Sequence, residues 1–338
     1  MKQQSTLGHK ALRLELTMPL SSADTQNMNK KASRFTFDEL VHAIQATGLK
    51  KSDTVIAFCS LFKLGRPILD GRELERFYLD AIFEVIADDG LLVLPAFSYS
   101  FCKHEQYDPK TTLSDVNVLS NYCIKHGIGV RSLDPNFSYI FLTKSDLYKE
   151  TKSSVAHEIR DLKFSNVSFD CDEEPSIPRF LLSRNSRFLN LSAVPYCTLL
   201  HNVEQKLDVN TRYYKLFTGS IKRDNEVLDD VKIYYFCRKY YPNTEVDMGK
   251  LDLFFRQLES DSKHNAQIVR VPIGKADILG GSIAGILSGF IEAFTENPYV
   301  VSKGPHLTAE QIDSVDDPFK VAVSDIDRQL FNVVDLAS

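Results

Sequence analysis

Glycine is scarce, with 15 residues in a chain of 338, and those present form neither a Walker loop nor a G-x-G-x-x-G run. P-loop and dinucleotide-binding sites need such glycines for close backbone approach to phosphate, so both readings lose their support. H-E-x-x-H is absent, and the six cysteines (Cys59, Cys102, Cys123, Cys171, Cys197, Cys237) include no C-x-x-C pair. No short zinc motif remains, and scattered thiols suit a reducing compartment better than a disulfide framework. An excess of positive charge is also missing: 40 Lys+Arg stand against 45 Asp+Glu, a net charge of −5. Nucleic acid as the main partner is thereby argued against, because phosphate backbones are bound by concentrated positive surface. Long apolar runs are lacking too. Met1–Ser5 shows no apolar stretch of a secretory signal. Ile278–Ile291, an uncharged and strongly apolar run in the C-terminal half, has 14 residues, where a membrane helix needs ~20. It reads as a buried helix, and the expectation is a cytoplasmic protein with no membrane span and no metal.

What is present is a globular composition. Hydrophobic residues make up 43% and charged residues 25% of the chain, enough to bury the core of one large domain or two modest ones. Residues 1–33 are polar and weakly patterned and read as a flexible N-terminal arm. Residues 34–338 read as the folded domain, with polar excursions near 151–186 and 221–265.

Local patterns set the fold class. Thr36 and Glu39 have capping-box spacing, and Leu40, Val41 and Ile44 supply an apolar helical stripe that stops at Gly48. Thr54–Phe58 is a short apolar run, a helix fits Glu73–Ala87, and Leu91–Leu94 is a second apolar run closed by Pro95. Strand, helix and strand at this spacing predict an α/β protein with a central mixed, partly parallel sheet flanked by helices. Further strands are expected at Tyr139–Leu142, Phe188–Val194 and Ile268–Val271, and helices at Ser114–Lys125, Thr198–Leu207 and Ser282–Phe294. Gly281, Gly285 and Gly289, spaced by four, predict close packing of the last helix against the sheet.

The most informative local feature is Thr198-Leu199-Leu200-His201-Asn202-Val203-Glu204. With Thr198 as cap, His201 falls in the first helical turn, and Glu204, three residues on, shares its face. A histidine held by a carboxylate after a strand suits general-base chemistry near neutral pH, the bland alternative being a structural pair. Cys59-Ser60-Leu61 follows the first apolar strand, where α/β sheets bind ligands. Arg131-Ser132-Leu133-Asp134-Pro135-Asn136-Phe137-Ser138 combines an arginine, hydroxyls and turn chemistry. Arg184, Arg187, Arg212, Lys215, Lys222 and Arg223 are candidate phosphate contacts.

Taken in order, these segments resemble the aminoglycoside 3-N-acetyltransferase (antibiotic N-acetyltransferase) family from about Thr36 to Val301. Gly48-Leu49, Ser52-Asp53, Phe58-Cys59-Ser60-Leu61 and Leu64-Gly65 are similar to the family's opening Gly-Leu, Gly-Asp, His-Ser-Ser-Leu and Leu-Gly. Gly90-Leu91-Leu92-Val93-Leu94-Pro95-Ala96-Phe97 resembles its Gly-Thr-Leu-Val-Met-Pro-Thr-Phe, and Tyr107-Asp108-Pro109 with Thr112-Leu113-Ser114 resembles its Phe-Asp-Pro…Thr-Pro-Ser. Arg131 to Ser138 resembles Arg-Ser-x-His-Pro-x-x-Ser, and Thr198, His201 and Glu204 match Thr-x-x-His-x-x-Glu without a change. Phe58-Cys59 replaces the family's His-Ser, and Asp134 replaces the histidine of His-Pro.

The resemblance implies an N-acyltransferase with acyl-CoA as co-substrate, His201 as general base and Glu204 orienting it. Coenzyme A contacts are expected at Cys59, Ser60, Leu61, Ser114, Arg131, Ser132 and Ser138. The lost histidines point away from drug-modifying members and toward a nucleotide-linked deoxy amino sugar of surface-polysaccharide or lipopolysaccharide biosynthesis. Its contacts are expected at Thr198, Arg212, Tyr213 and Tyr214, and a homodimer would be unsurprising. The alternatives are a true aminoglycoside 3-N-acetyltransferase, a catalytically silent coenzyme A or sugar-nucleotide binding protein, and a covalent mechanism through Cys59 or Cys197.

Overall fold

The computed structural model describes residues 34–149, 159, 161–170, 176–191, 195–223 and 226–332. The expected arm at 1–33, Cys171, residues 192–194 of one expected strand and much of the first excursion lie outside the described residues.

The first helix, Phe37–Ala46, begins at the expected capping box: the Glu39 amide donates to Thr36 Oγ1 and the Thr36 amide to Glu39 Oε2. Gly48 then turns the chain at a positive φ of 88°, a conformation glycine adopts without a Cβ penalty. A second helix, Leu74–Ile86, separates the strands Thr54–Cys59 and Leu91–Pro95, which pair in parallel. This is the expected strand–helix–strand unit.

Seven strands form the main sheet in the order Val269–Ile273, Ala276–Ser282, Arg187–Leu191, Thr54–Cys59, Leu91–Pro95, Tyr139–Leu142 and Val130–Arg131. The three central strands are mutually parallel and the outer pairings are antiparallel. Side chains alternate between two cores, as strand geometry requires. Val55, Ala57, Leu92, Leu94, Leu189 and Leu191 face the helices Phe37–Ala46 and Leu74–Ile86. Ile56, Phe58, Val93 and Phe188 face the opposite layer.

That opposite layer lies outside the main sheet. The described part of residues 221–265, expected as a polar loop or excursion from that sheet, contributes to a separate long antiparallel pair (Arg212–Arg223 with Glu226–Arg238) and a helix, Met248–Ser260. Acidic residues crowd the hairpin's second strand, and a register irregularity between Leu228 and Val231 breaks its alternation. In the helix, Leu251, Phe254, Phe255 and Leu258 form an apolar stripe behind a charged outer face.

Ile278–Ile291 is not one buried helix. It splits into the end of the strand Ala276–Ser282 and the start of the helix Ile283–Glu296, with Ser282 accepting from the Gly285 amide at the junction. Gly281 is therefore a strand residue. Gly285 abuts the backbone of Ala266 and Gly289 meets Leu258, so their close packing is against the neighbouring loop and helix rather than the sheet.

Candidate active site

The parallel strands bring the ends Cys59, Pro95 and Leu191 to one edge of the sheet. From Thr54–Cys59 the chain adds a strand on one side first and on the other side later. That makes a topological switch point beside Arg187–Leu191, the place where open α/β sheets bind ligands. Beyond this strand, Pro195–Leu199 leads into the helix Leu200–Lys206.

His201 is the second residue of that helix. Its Nδ1 lies 2.6 Å from Glu204 Oε2, and the same oxygen accepts from Arg212 Nη2 at 2.8 Å. A second Arg212 nitrogen, Nη1, donates to the Phe236 carbonyl at 3.1 Å. The Tyr196 hydroxyl lies 2.9 Å from His201 Nε2. Rings pack around the imidazole: Phe169 with centroids 5.0 Å apart, Tyr196 at 6.1 Å and Tyr235 at 6.2 Å. The His201 side chain keeps 13% exposure.

This setting fixes the protonation states. Burial and the Arg212 charge push His201 below its ordinary pKa, against the pull of Glu204. Burial works to raise Glu204, but Arg212 and the His201 hydrogen bond outweigh it and hold the carboxyl low. A neutral imidazole facing an ionised carboxylate carries its proton on Nδ1, which leaves the Nε2 lone pair toward Tyr196. The phenol of Tyr196 is held protonated by burial.

Of the four expected sugar contacts, Arg212 is part of this array, and Thr198 lies on the chain just before its helix. Thr198 is not the helix cap, since Leu199 occupies that position without a side-chain bond, and its hydroxyl lies 3.4 Å from Tyr139 Oη. Arg212 points inward to Glu204. Tyr213 Oη donates to Asp317 Oδ2 at 2.8 Å, as does Lys215 Nζ, and Tyr214 packs on Phe236. The other basic candidates do not converge: Arg184 reaches Thr54, Arg187 reaches Gln267 and Lys222 pairs with Asp108.

Among the expected coenzyme A contacts, Arg131, Ser132 and Ser138 form an internal knot. Arg131 donates to Ser138 Oγ at 2.9 Å and to the carbonyls of Ala96 (2.6 Å) and Thr112. Ser138 donates to the Ala96 carbonyl, and Ser132 Oγ accepts from the Tyr139 amide. Ser114 donates to the Phe97 carbonyl, and Cys59 Sγ donates to Asn117 Oδ1. These bonds fix the loops around the strand ends. Leu61 is buried, Ser60 makes no capping bond and its neighbour Phe62 is 85% exposed. Within the expected set Cys59 and Ser60 are half-buried while Leu61, Ser114, Arg131, Ser132 and Ser138 are buried, so the turn after the first central strand is the part that reaches the surface.

The two positions that lack family histidines are occupied by core groups. Phe58 packs against Phe188 at 5.6 Å. Asp134 accepts from the Asn136 and Phe137 amides and from Ser168 Oγ, and burial pushes its carboxyl up. It borders a cavity of about 30 Å³ that Tyr139 and Phe169 also line. Burial drives Cys59 to about 11 and Cys197 to about 12, so neither thiol ionises near neutral pH.

Tyr196, Phe169 and Tyr235 were not singled out by the sequence. Tyr196 lies five residues before His201, a spacing that proposes no contact until the intervening turn is known. Tyr235 reaches the site through its pairing with Lys215 across the hairpin.

No protein-family model matches the chain, and no curated protein matches it. Solved structures do. Apo aminoglycoside acetyltransferase AAC(3)-IVa superposes with a TM-score of 0.58 at 17% identity, covering 83% of this chain and 96% of its own. AAC-IIIb in a binary complex with CoASH gives 0.58 at 15%, with coverage of 81% and 100%. YokD protein from Bacillus subtilis gives 0.58 at 16%, with coverage of 78% and 95%. The chain has the aminoglycoside 3-N-acetyltransferase fold. The expected fold class and the resemblance read from the motifs both hold at this level. Among the described residues of this acetyltransferase fold, no helix is long and apolar enough to cross a membrane, and no cluster of three or more His, Cys, Asp or Glu is placed to hold a metal ion.

Proposed function

We propose that the protein is an N-acyltransferase that moves an acyl group from acyl-CoA to an amine of an amino sugar, with His201 as the general base. The observation that carries this reading is the oriented imidazole of His201, held at Nδ1 by Glu204, whose carboxylate is in turn held by Arg212, beside the switch point of the sheet. An amine becomes acylated only as it loses a proton, so a neutral base with an unprotonated nitrogen is what the reaction needs. Glu204 fixes the tautomer and stabilises the imidazolium once the proton has moved. The thioester supplies an activated carbonyl, and the turn at Ser60–Phe62 is where its arm would lie.

Aminoglycosides rank first as acceptors, since the structural neighbours are named for them. A nucleotide-linked amino sugar ranks second. Phe58 and Asp134 in place of histidines favour it, but the group expected to hold a base and diphosphate is already engaged: Arg212 with Glu204, and Tyr213 and Lys215 with Asp317. The silent-binder alternative is disfavoured by the intact base.

Free-thiol release from several acyl-CoA donors, against aminoglycosides and nucleotide-linked amino sugars, tests both levels. Release with an amine that falls ~10² to 10⁴-fold in His201→Ala supports the base. Near-normal turnover in that variant would falsify it, and the acceptor that supports release decides between the two substrate classes.

A further inference from the structure

The direction that Nε2 of His201 faces is already occupied. Glu204 takes the Nδ1 proton, so Nε2 holds the lone pair, and the Tyr196 hydroxyl lies on it at 2.9 Å. The ring cannot exchange its nitrogens without breaking the 2.6 Å bond to Glu204, and Phe169 and Tyr235 pack beside it. Tyr196 and His201 are both only partly covered, whereas Cys197, Thr198, Leu199 and Leu200 between them are buried. A proton bound for Nε2 therefore has to pass through the Tyr196 hydroxyl or displace it.

We propose that Tyr196 is a catalytic residue that relays the proton: the acceptor amine gives a proton to the Tyr196 oxygen while the Tyr196 proton passes to His201 Nε2. The inference rests on the acyltransferase reading above. As the carbon–nitrogen bond forms and the carbon–sulfur bond breaks, the amine loses one proton and His201 gains one. That proton returns through the same hydroxyl to the thiolate sulfur, so amide and free thiol leave and the protein is unchanged. The transfer is paired, and no tyrosinate forms. This matters because a phenolate here would be costly: burial and the nearby Glu204 charge hold the phenol protonated.

Tyr196→Phe keeps the ring and removes the relay. The expected result is a kcat lower by about 10²-fold with the acceptor KM changed less than about threefold. Solvent-isotope dependence in mixed H2O and D2O should pass from curved, with two protons in motion, to linear. A kcat within about threefold of wild type would overturn the relay and leave Tyr196 as a cover that substrate displaces. A wild-type protein that acylates no amine on the panel would sink the acyltransferase reading instead. The underlying bond is read separately from the His201 imidazole ¹⁵N spectrum. The Nε2 resonance should move in Tyr196→Phe, and an unmoved resonance overturns the relay whatever the activity.

Discussion

Arg212 donates to Glu204 at 2.8 Å with the two side chains only 6% and 7% exposed. A pair this deeply buried is costly to break from one side, because the remaining charge has no water to return to. Arg212→Met should therefore destabilise the protein by about 3–5 kcal/mol, read as a lower midpoint in urea. A loss under about 1 kcal/mol would mean that Glu204 finds another partner. The same variant removes one of the two influences that depress His201. The acid limb of the rate profile should then move to higher pH than in wild type, provided the variant is assayed where it is folded.

The wild-type pH dependence has a defined sign. Burial first, then Arg212, lowers His201 below its ordinary value of 6.5. In the window between the lowered folded value and 6.5 the unfolded chain binds more protons than the native one. Stability from this group is thus present above 6.5 and is lost as pH falls through the folded value. Glu204, also lowered, acts in the same direction at more acid pH. Once the fraction of acceptor present as free amine is divided out, turnover should hold its plateau to below pH 6.5, since the base stays neutral there. An acid limb centred at or above 6.5 would contradict the buried arrangement of His201.

His201 and Glu204 were legible because their relation is local: three residues apart on a helix means a shared face in any fold. Arg212 was legible as a cation but not as Glu204's partner, because that pairing depends on the turn between helix and hairpin. Arg131 stood out as an anion contact for the same reason, since composition cannot reveal that its guanidinium is consumed by the Ala96 and Thr112 carbonyls. The central parallel strands were plain because burial on both faces leaves uninterrupted apolar runs. The hairpin's second strand was not, because Glu226, Asp229, Asp230 and Lys232 face outward and dilute its alternation.

The cysteines separate a direct from a covalent transfer. Burial holds Cys59 near 11 and Cys197 near 12, and a protonated thiol is a poor nucleophile. Intact-mass measurement after mixing with acyl-CoA alone should show no acyl adduct, and Cys197→Ser should keep turnover within about threefold if acylation needs no thiolate. A stoichiometric adduct lost in either Cys59→Ser or Cys197→Ser would establish the covalent route.

The two glycines of the helix Ile283–Glu296 should respond unequally to the same added methyl. A Cβ at Gly285 would stand 2.4 Å from the Ala266 Cα and 2.5 Å from its amide nitrogen. Backbone cannot rotate away, so the helix must move off the loop that leads to the strand Val269–Ile273. At Gly289 the nearest atom is Leu258 Cδ2, at 2.7 Å, the far end of a side chain that can change rotamer. Helix propensity favours alanine at both positions by up to about 1 kcal/mol. At Gly285 overpacking of about 1–3 kcal/mol outweighs that gain, so Gly285→Ala should lower the melting temperature. At Gly289 the two effects nearly cancel, so Gly289→Ala should leave it within about 2 °C on the usual scaling for a chain of this size. Equal losses at both sites would show that Leu258 is as immobile as the Ala266 backbone, and the packing of the helix Met248–Ser260 against Ile283–Glu296 would then be as rigid as the sheet itself.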